Sequence, residues 1–241
     1  MAAEDQAEAA GQMLGDEMGK SVRATFAVVG ALLLTSGVAA AASPAAMVED
    51  VTGTSAGVGP LDYLPAGKAI KLAAADRIVL DYLHSCIRET ITGSSLVVGA
   101  EQSTVHGGTI ARETVSCDGG QLQLSADQSQ KSETIVFRKS STGANLPPAQ
   151  RTLYGLSPLF ELPGPGEFTL ERLDKPAPKI VLSLAAADLD HRRFYDFAAH
   201  GEVLAGGGFY RASFEGTSIV FRLAKTAEAG ALPPVTRLLQ L

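Results

Sequence analysis

Past residue 43 the chain is a succession of short apolar or alternating runs, each closed by a cluster of Gly, Ser or Asp. That spacing constrains the fold more than any other feature. A helix needs apolar residues recurring every three to four positions over ten or more residues, whereas runs of four to eight bounded by turn residues are strands. The runs fall at 68–72, 77–83, 87–92, 95–99, 109–117, 121–125 and 133–139, then at 158–162, 168–173, 179–184, 208–214 and 218–223. Turn signals separate them, among them Gly93-Ser94, Gly107-Gly108 and Asp118-Gly119-Gly120. The alternation has one flaw: Ile87, Glu89 and Ile91 share a strand face, which puts a carboxylate among apolar side chains. The stretch from Asp188 to His200 is the one with a helical option, with Phe194, Phe197 and Ala198 on one face; an irregular segment is the alternative. The expectation is an all-β chain of two tandem antiparallel sandwich-like domains.

Composition narrows the function classes. Apolar residues make up 46% of the chain, enough for a packed core and too many for a disordered one. The net charge of −6 excludes a strongly basic nucleic-acid binder. Two cysteines are too few for a disulfide-dense miniprotein or a four-cysteine zinc site.

The N-terminal region sets the compartment. From Ala24 to Ala42 there is no charged residue; Lys20 and Arg23 precede the run, and Glu49 and Asp50 follow it. A basic flank, an apolar stretch and an Ala40-Ala41-Ala42 site before Ser43 describe a secretory signal peptide. The acidic residues before Met18 do not suit such a leader, so Met13 and Met18 stand beside Met1 as starts. As a helix the run would span roughly 28 Å at about 1.5 Å per residue, so a retained single-pass anchor is the alternative. Under both readings the basic flank stays in the cytoplasm and the rest is exported, to the periplasm or beyond.

An internal echo places a boundary. Ile135-Val136-Phe137-Arg138 returns as Ile219-Val220-Phe221-Arg222, and Leu146-Pro147-Pro148 with Arg151 and Leu153 returns as Leu232-Pro233-Pro234 with Arg237 and Leu239. The order is the same and the offset nearly so, as expected of two related β-units that each end in a proline-stiffened exit. The expected organisation is a leader or anchor over 1–43, a β-domain over 44–150 and a β-sandwich over 151–241, with a linker beginning near Ser140-Ser141-Thr142-Gly143. By the same analogy Leu238 or Leu239, together with Leu241, should pack against the second unit.

The stretch from Leu64 through Pro65, Gly67, Lys68, Ile70 and Leu72, followed by residues 76–82, resembles a FecR-type periplasmic β-domain. The second half, through Pro158-Leu159-Phe160, Gly206-Gly207-Gly208-Phe209-Tyr210 and the Ile-Val-Phe-Arg strand, is similar to an Ig-like module. The resemblance carries no residue-level site. It implies a periplasmic scaffold or sensory module, not an enzyme. The expected partner is an unidentified envelope protein, with no nucleic acid and with membrane contact only through Ala24 to Ala42 if that run is uncleaved.

Chemistry-bearing residues are few. Cys86 and Cys117 are the only cysteines, both in the exported part, and an oxidising compartment pairs them as a disulfide. The rival is a metal set of His84, Cys86, His106 and Cys117, whose thiolate and imidazole ligands suit zinc or copper. Gly53-Thr54-Ser55-Ala56-Gly57 has the G-x-S-x-G form of a nucleophile elbow, but Gly57-Val58-Gly59-Pro60 follows where a helix should start, which makes it a turn. Asp188, Asp190, His191 and His200, beside Arg192 and Arg193, form the densest titratable cluster, read as a solvated face or, alternatively, as a hydrolase centre using His191 as general base. Gly206-Gly207-Gly208 reads as a hairpin connection. No catalytic residue, cofactor or metal is expected. The function expected is binding or scaffolding in the cell envelope, with a membrane-anchored subunit of a larger envelope complex and a periplasmic hydrolase as alternatives.

Overall fold

A computed structural model describes residues 43–119 and 146–241. The leader run from Ala24 to Ala42, the strands expected at 121–125 and 133–139, the linker at Ser140 to Gly143 and the first Ile-Val-Phe-Arg copy lie outside the described residues. The described chain is all β, with only three-residue 3-10 turns besides strands. Its strands are β1 (Pro44–Thr52), β2 (Tyr63–Pro65), β3 (Ala69–Lys71), β4 (Arg77–Tyr82), β5 (Ile87–Thr92), β6 (Ser95–Val97), β7 (Thr104–His106) and β8 (Thr109–Thr114) in the first half. The second half contains β9 (Arg151–Gly155), β10 (Leu159–Glu161), β11 (Gly166–Arg172), β12 (Ile180–Leu184), β13 (Phe194–Asp196), β14 (Phe209–Phe214), β15 (Thr217–Glu228) and β16 (Leu238–Gln240).

In the first half a five-stranded sheet ordered β2-β1-β4-β5-β8 and a three-stranded sheet ordered β3-β6-β7 share one aliphatic core. Alternation decides who enters it: Ile78, Leu80 and Tyr82 of β4 point into the core with Ile91, Ile70 and Leu96. In the second half the orders are β12-β11-β14-β15-β9 and β13-β10-β16. Here the core is aromatic. Phe160 lies 4.7 Å from Phe168 and 5.1 Å from Phe197, centroid to centroid, and Tyr210 stacks on Phe221 at 5.5 Å. In a chain without Trp, these rings bury the largest apolar areas.

Among the described residues pairing is antiparallel with two exceptions, which correct the wholly antiparallel expectation: β9 lies parallel to β15 and β16 parallel to β10. After each proline pair come a buried Arg and, two positions later, a buried Leu: Arg151 and Leu153 in β9, and Arg237, which closes the 3-10 turn Pro234–Thr236, with Leu239 in β16. Neither strand is joined to its parallel neighbour by a hairpin, so nothing in the turn chemistry forces reversal.

The helical option at Asp188–His200 is not taken. A 3-10 turn, Ala186–Asp188, ends at once, and His191 and Arg192 have positive φ of 49° and 62°, which stops any helix and turns the chain into β13. Phe194 and Phe197 are both fully buried, but in different clusters. The strand at β1 has little alternation to announce it. Its alanines and acidic residues have low strand propensity, and it forms because it lies between β2 and β4, where Ala45, Ala46, Met47 and Val48 are buried.

The two halves belong to one compact unit. A third apolar cluster lies between them, made of Met47 and Leu83 from the first half and Leu159, Phe194, Val235 and Leu238 from the second. The C-terminal segment packs as its sequence suggests and does so on both sides. Leu238 enters the seam, Leu239 enters the aromatic core, and Leu241 packs against that core partly buried. Leu239→Ala should therefore cost about 2–5 kcal/mol of unfolding free energy, read as a lower urea midpoint at unchanged slope.

Candidate functional site

Cys86 and Cys117 form a disulfide with 5.7 Å between their Cα atoms. Cys86 ends the turn after β4 with a positive φ of 56°, and its carbonyl accepts the Val115 amide at 2.9 Å, continuing the β5–β8 ladder by one step. That extension brings the exit of β8 beside the turn. The bridge indicates an oxidising, extracytoplasmic compartment. It also removes both thiolates from the rival metal set, and among the described residues no group of three or more ligating side chains could hold a metal ion. Just beyond the bridge, Asp118 accepts the Thr152 amide of β9 at 3.1 Å. The disulfide thus fixes the strand exit that reaches the second half.

The carboxylate that breaks the alternation of β5 is part of a buried network. Glu89 is fully buried; it accepts Arg112 Nε at 2.6 Å and the Ser103 amide at 3.1 and 3.0 Å on its two oxygens. Arg112 also donates to the Ser103 carbonyl at 2.9 Å, and the Tyr82 hydroxyl lies 2.7 Å from Ser103 Oγ. Burial pushes the Tyr82 phenol up to about 12. The group joins the core face of one sheet to the loop that enters β7 and has a structural role. The sequence signal was the misplaced Glu89; its partners, 14 and 23 residues on, were not legible.

The other sequence candidates are not assembled into chemistry. Ser55 of the G-x-S-x-G stretch sits in a turn, where its hydroxyl donates to Asp76 and accepts the Ala73 amide at 2.8 Å. The hydrogen bonds from Ser55 hold the exposed Asp76 carboxyl below its usual range. Asp188 caps its own turn by accepting the Ala185 amide at 2.7 Å. His191 is exposed on the adjoining turn, and His200 Nδ1 lies 2.9 Å from the carbonyl of Asp196. No serine is brought to His191 by any described hydrogen bond. Gly206 to Gly208 are not the hairpin connection expected: they lead from an irregular loop into β14, and the preceding strand β13 belongs to another sheet.

Sequence reasoning missed the polar side of the seam. One row of residues crosses the first sheet in register, Tyr63, Met47, Asp81, Arg88 and Glu113, all facing away from the aliphatic core. At one end the Tyr63 hydroxyl donates to Glu161 Oε2 at 2.6 Å, and Gln240 Nε2 reaches both groups, at 3.1 and 2.8 Å. Arg193 pairs with Glu161 at 3.3 Å and lies over the Tyr63 ring. At the other end Arg88 is paired with Glu49 and Glu113. An open cleft of about 180 Å³ lies beside the seam, lined by Val115, Tyr154, Leu232 and Thr236 among others.

Among the described residues β12 has a strand neighbour on one side only, β11. Ile180, Leu182 and Leu184 turn inward, while Val181 is 54% exposed. Lys175-Pro176-Ala177-Pro178-Lys179 precedes it.

Comparison with known proteins returned no matching family model, no matching curated protein and no matching solved structure.

Two outcomes follow. Intact mass should show no free thiol in the native protein, and Cys86→Ser with Cys117→Ser should lower stability by about 3–4 kcal/mol for a loop of this length. Glu89→Ala should cost about 1–3 kcal/mol by leaving the Ser103 amide unpaired, measured by urea unfolding against Thr104→Ala on the exposed face of β7.

Proposed function

We propose that this chain is an exported, non-enzymatic binding or scaffolding module of the cell envelope, and that it takes an extended segment of a partner protein along β12. The observation that carries the reading is the outer edge of that strand, which no other described strand pairs. Its inward residues are already committed to the aromatic core, so the strand is held in place before any partner arrives. An ordered edge offers unpaired backbone groups to a second strand at little ordering cost. The flanking prolines and lysines limit the template to five residues, roughly 17 Å at about 3.3 Å each, and such flanks suppress indiscriminate pairing. The disulfide supports export. The resemblance to a FecR-type domain followed by an Ig-like module supports a periplasmic scaffold.

A membrane-anchored subunit of an envelope complex is the second reading, favoured by the uncharged run from Ala24 to Ala42. Among the described residues no helix is long and apolar enough to cross a membrane, and that run lies outside them. Intact mass of the protein from its host separates the two: a cleaved product begins near Ser43, and an anchored one keeps the run.

The edge is tested by placing a photo-crosslinking amino acid at position 181 and, as control, at the equally exposed Val203. A discrete crosslinked partner is expected at 181 and none at 203, with the adduct lost when Lys175 and the prolines are kept but Ser183, the other outward residue of β12, is changed to Lys. Equal labelling at both positions, or none at 181, would reject the edge as the binding element.

A further inference from the structure

Asp81 is fully buried on β4, on the face that the second half covers. Neither of its oxygens has a hydrogen-bond partner. The groups that face it can be named strand by strand. From β1 come Met47, directly beside it, and Glu49, whose carboxylate is taken by Arg88. From β5 comes Arg88, whose Nε stands 3.9 Å from Oδ1, beyond hydrogen-bond reach, because its guanidinium is drawn to Glu49 and to Glu113 of β8. From the second half come the 3-10 turn Pro234–Thr236 and Arg237, whose guanidinium is held by Asp196 at 2.5 and 2.9 Å. Both cations near Asp81 are therefore committed to other carboxylates. The Val235 amide comes near enough to favour the charged form in part, without completing a bond in good geometry.

We propose that Asp81 is a proton-operated latch on the seam: while its carboxyl is neutral the turn Pro234–Thr236 seats against β4, and ionisation weakens that seat. An ionised carboxylate buried without a partner is costly, and opening the seam to water relieves the cost. Burial, with Glu113 adding repulsion, pushes the Asp81 carboxyl up to about 7, against the opposing pull of the Val235 amide and Arg237. The sign follows. With the folded value above the open-state value of 3.8, the closed seam binds the proton more tightly than the open one. Closure is therefore favoured fully below that open-state value and loses favour as pH rises to about 7, by up to roughly tenfold per pH unit, with no further change above. Among the described residues the charged groups that act on Asp81 are Arg88, Arg237 and Glu113.

The test is amide hydrogen exchange on the full chain, corrected for intrinsic rate, following Leu159, whose amide bonds the Arg237 carbonyl at 2.9 Å, and the amides of β16. Protection at these amides should fall by tenfold to a hundredfold between pH 5 and pH 8, while amides of the β11–β14 ladder change less. Asp81→Asn should remove the pH dependence and hold the protection of pH 5 at both values. Equal protection of the wild-type seam at both pH values, or a pH dependence that persists in the Asn variant, would overturn the latch. Isotope-edited infrared spectroscopy of the wild type reads the same group without a variant: a protonated carboxyl band lost on deuterium-shifted Asp labelling should be present at pH 5 and absent above pH 8, and its absence at pH 5 would equally overturn the proposal.

Discussion

Arg237 is fixed from four directions. Its two terminal nitrogens take the Asp196 carboxylate side by side, its Nε donates to the Leu232 carbonyl at 2.8 Å, and Nη1 also reaches the Ser157 carbonyl at 3.3 Å. Its own carbonyl accepts the Leu159 amide. One guanidinium thus joins the C-terminal loop, the start of β10 and the end of β13. Such a buried pair adds little net stability by itself, because desolvation offsets most of the attraction. Its contribution is geometric. A planar fork meets a carboxylate in one orientation, and that orientation sets the register of β16 against β10.

From that register the seam follows. With β16 in place, Leu238 faces the first half and Leu239 the aromatic core, because neighbouring side chains on a strand point to opposite faces. The 3-10 turn before it then lies over β4, and Gln240 reaches Tyr63 and Glu161. The first half meets this surface with one face of a sheet whose other face is already filled. Its polar residues are distributed to suit: Tyr63 and Arg88 find hydrogen-bond partners near the rim, and Asp81, in the middle, has only Arg88 at 3.9 Å. In that sheet β12 lies at the far side from β9, where the binding role proposed above places its partner strand.

Much of this was legible in the chain. The runs at 77–83, 87–92 and 208–214 became strands almost residue for residue, because alternation and turn chemistry are local properties. The cysteine pair was legible because an exported chain with two thiols offers one bridge. The leucines of the C-terminus were legible because apolar residues so dense at a chain end are buried when a core is within reach. Local pattern failed where neighbours decide. The alanine-rich β1 is a strand because β2 and β4 flank it, and the aromatic stretch at Phe194 is a strand because two cores lie on its two sides.

The sequence by itself determined an all-β chain, its disulfide and the apolar anchor in its last described segment, since each depends on residues close in sequence or on a choice with one solution. Tertiary structure alone decided the parallel pairing of β9 and β16, the partners of Glu89 and Arg237, and the isolation of Asp81. Those depend on which side chains meet across separations of tens of residues. Periodicity says which face of a strand is buried, and only packing says what lies opposite it.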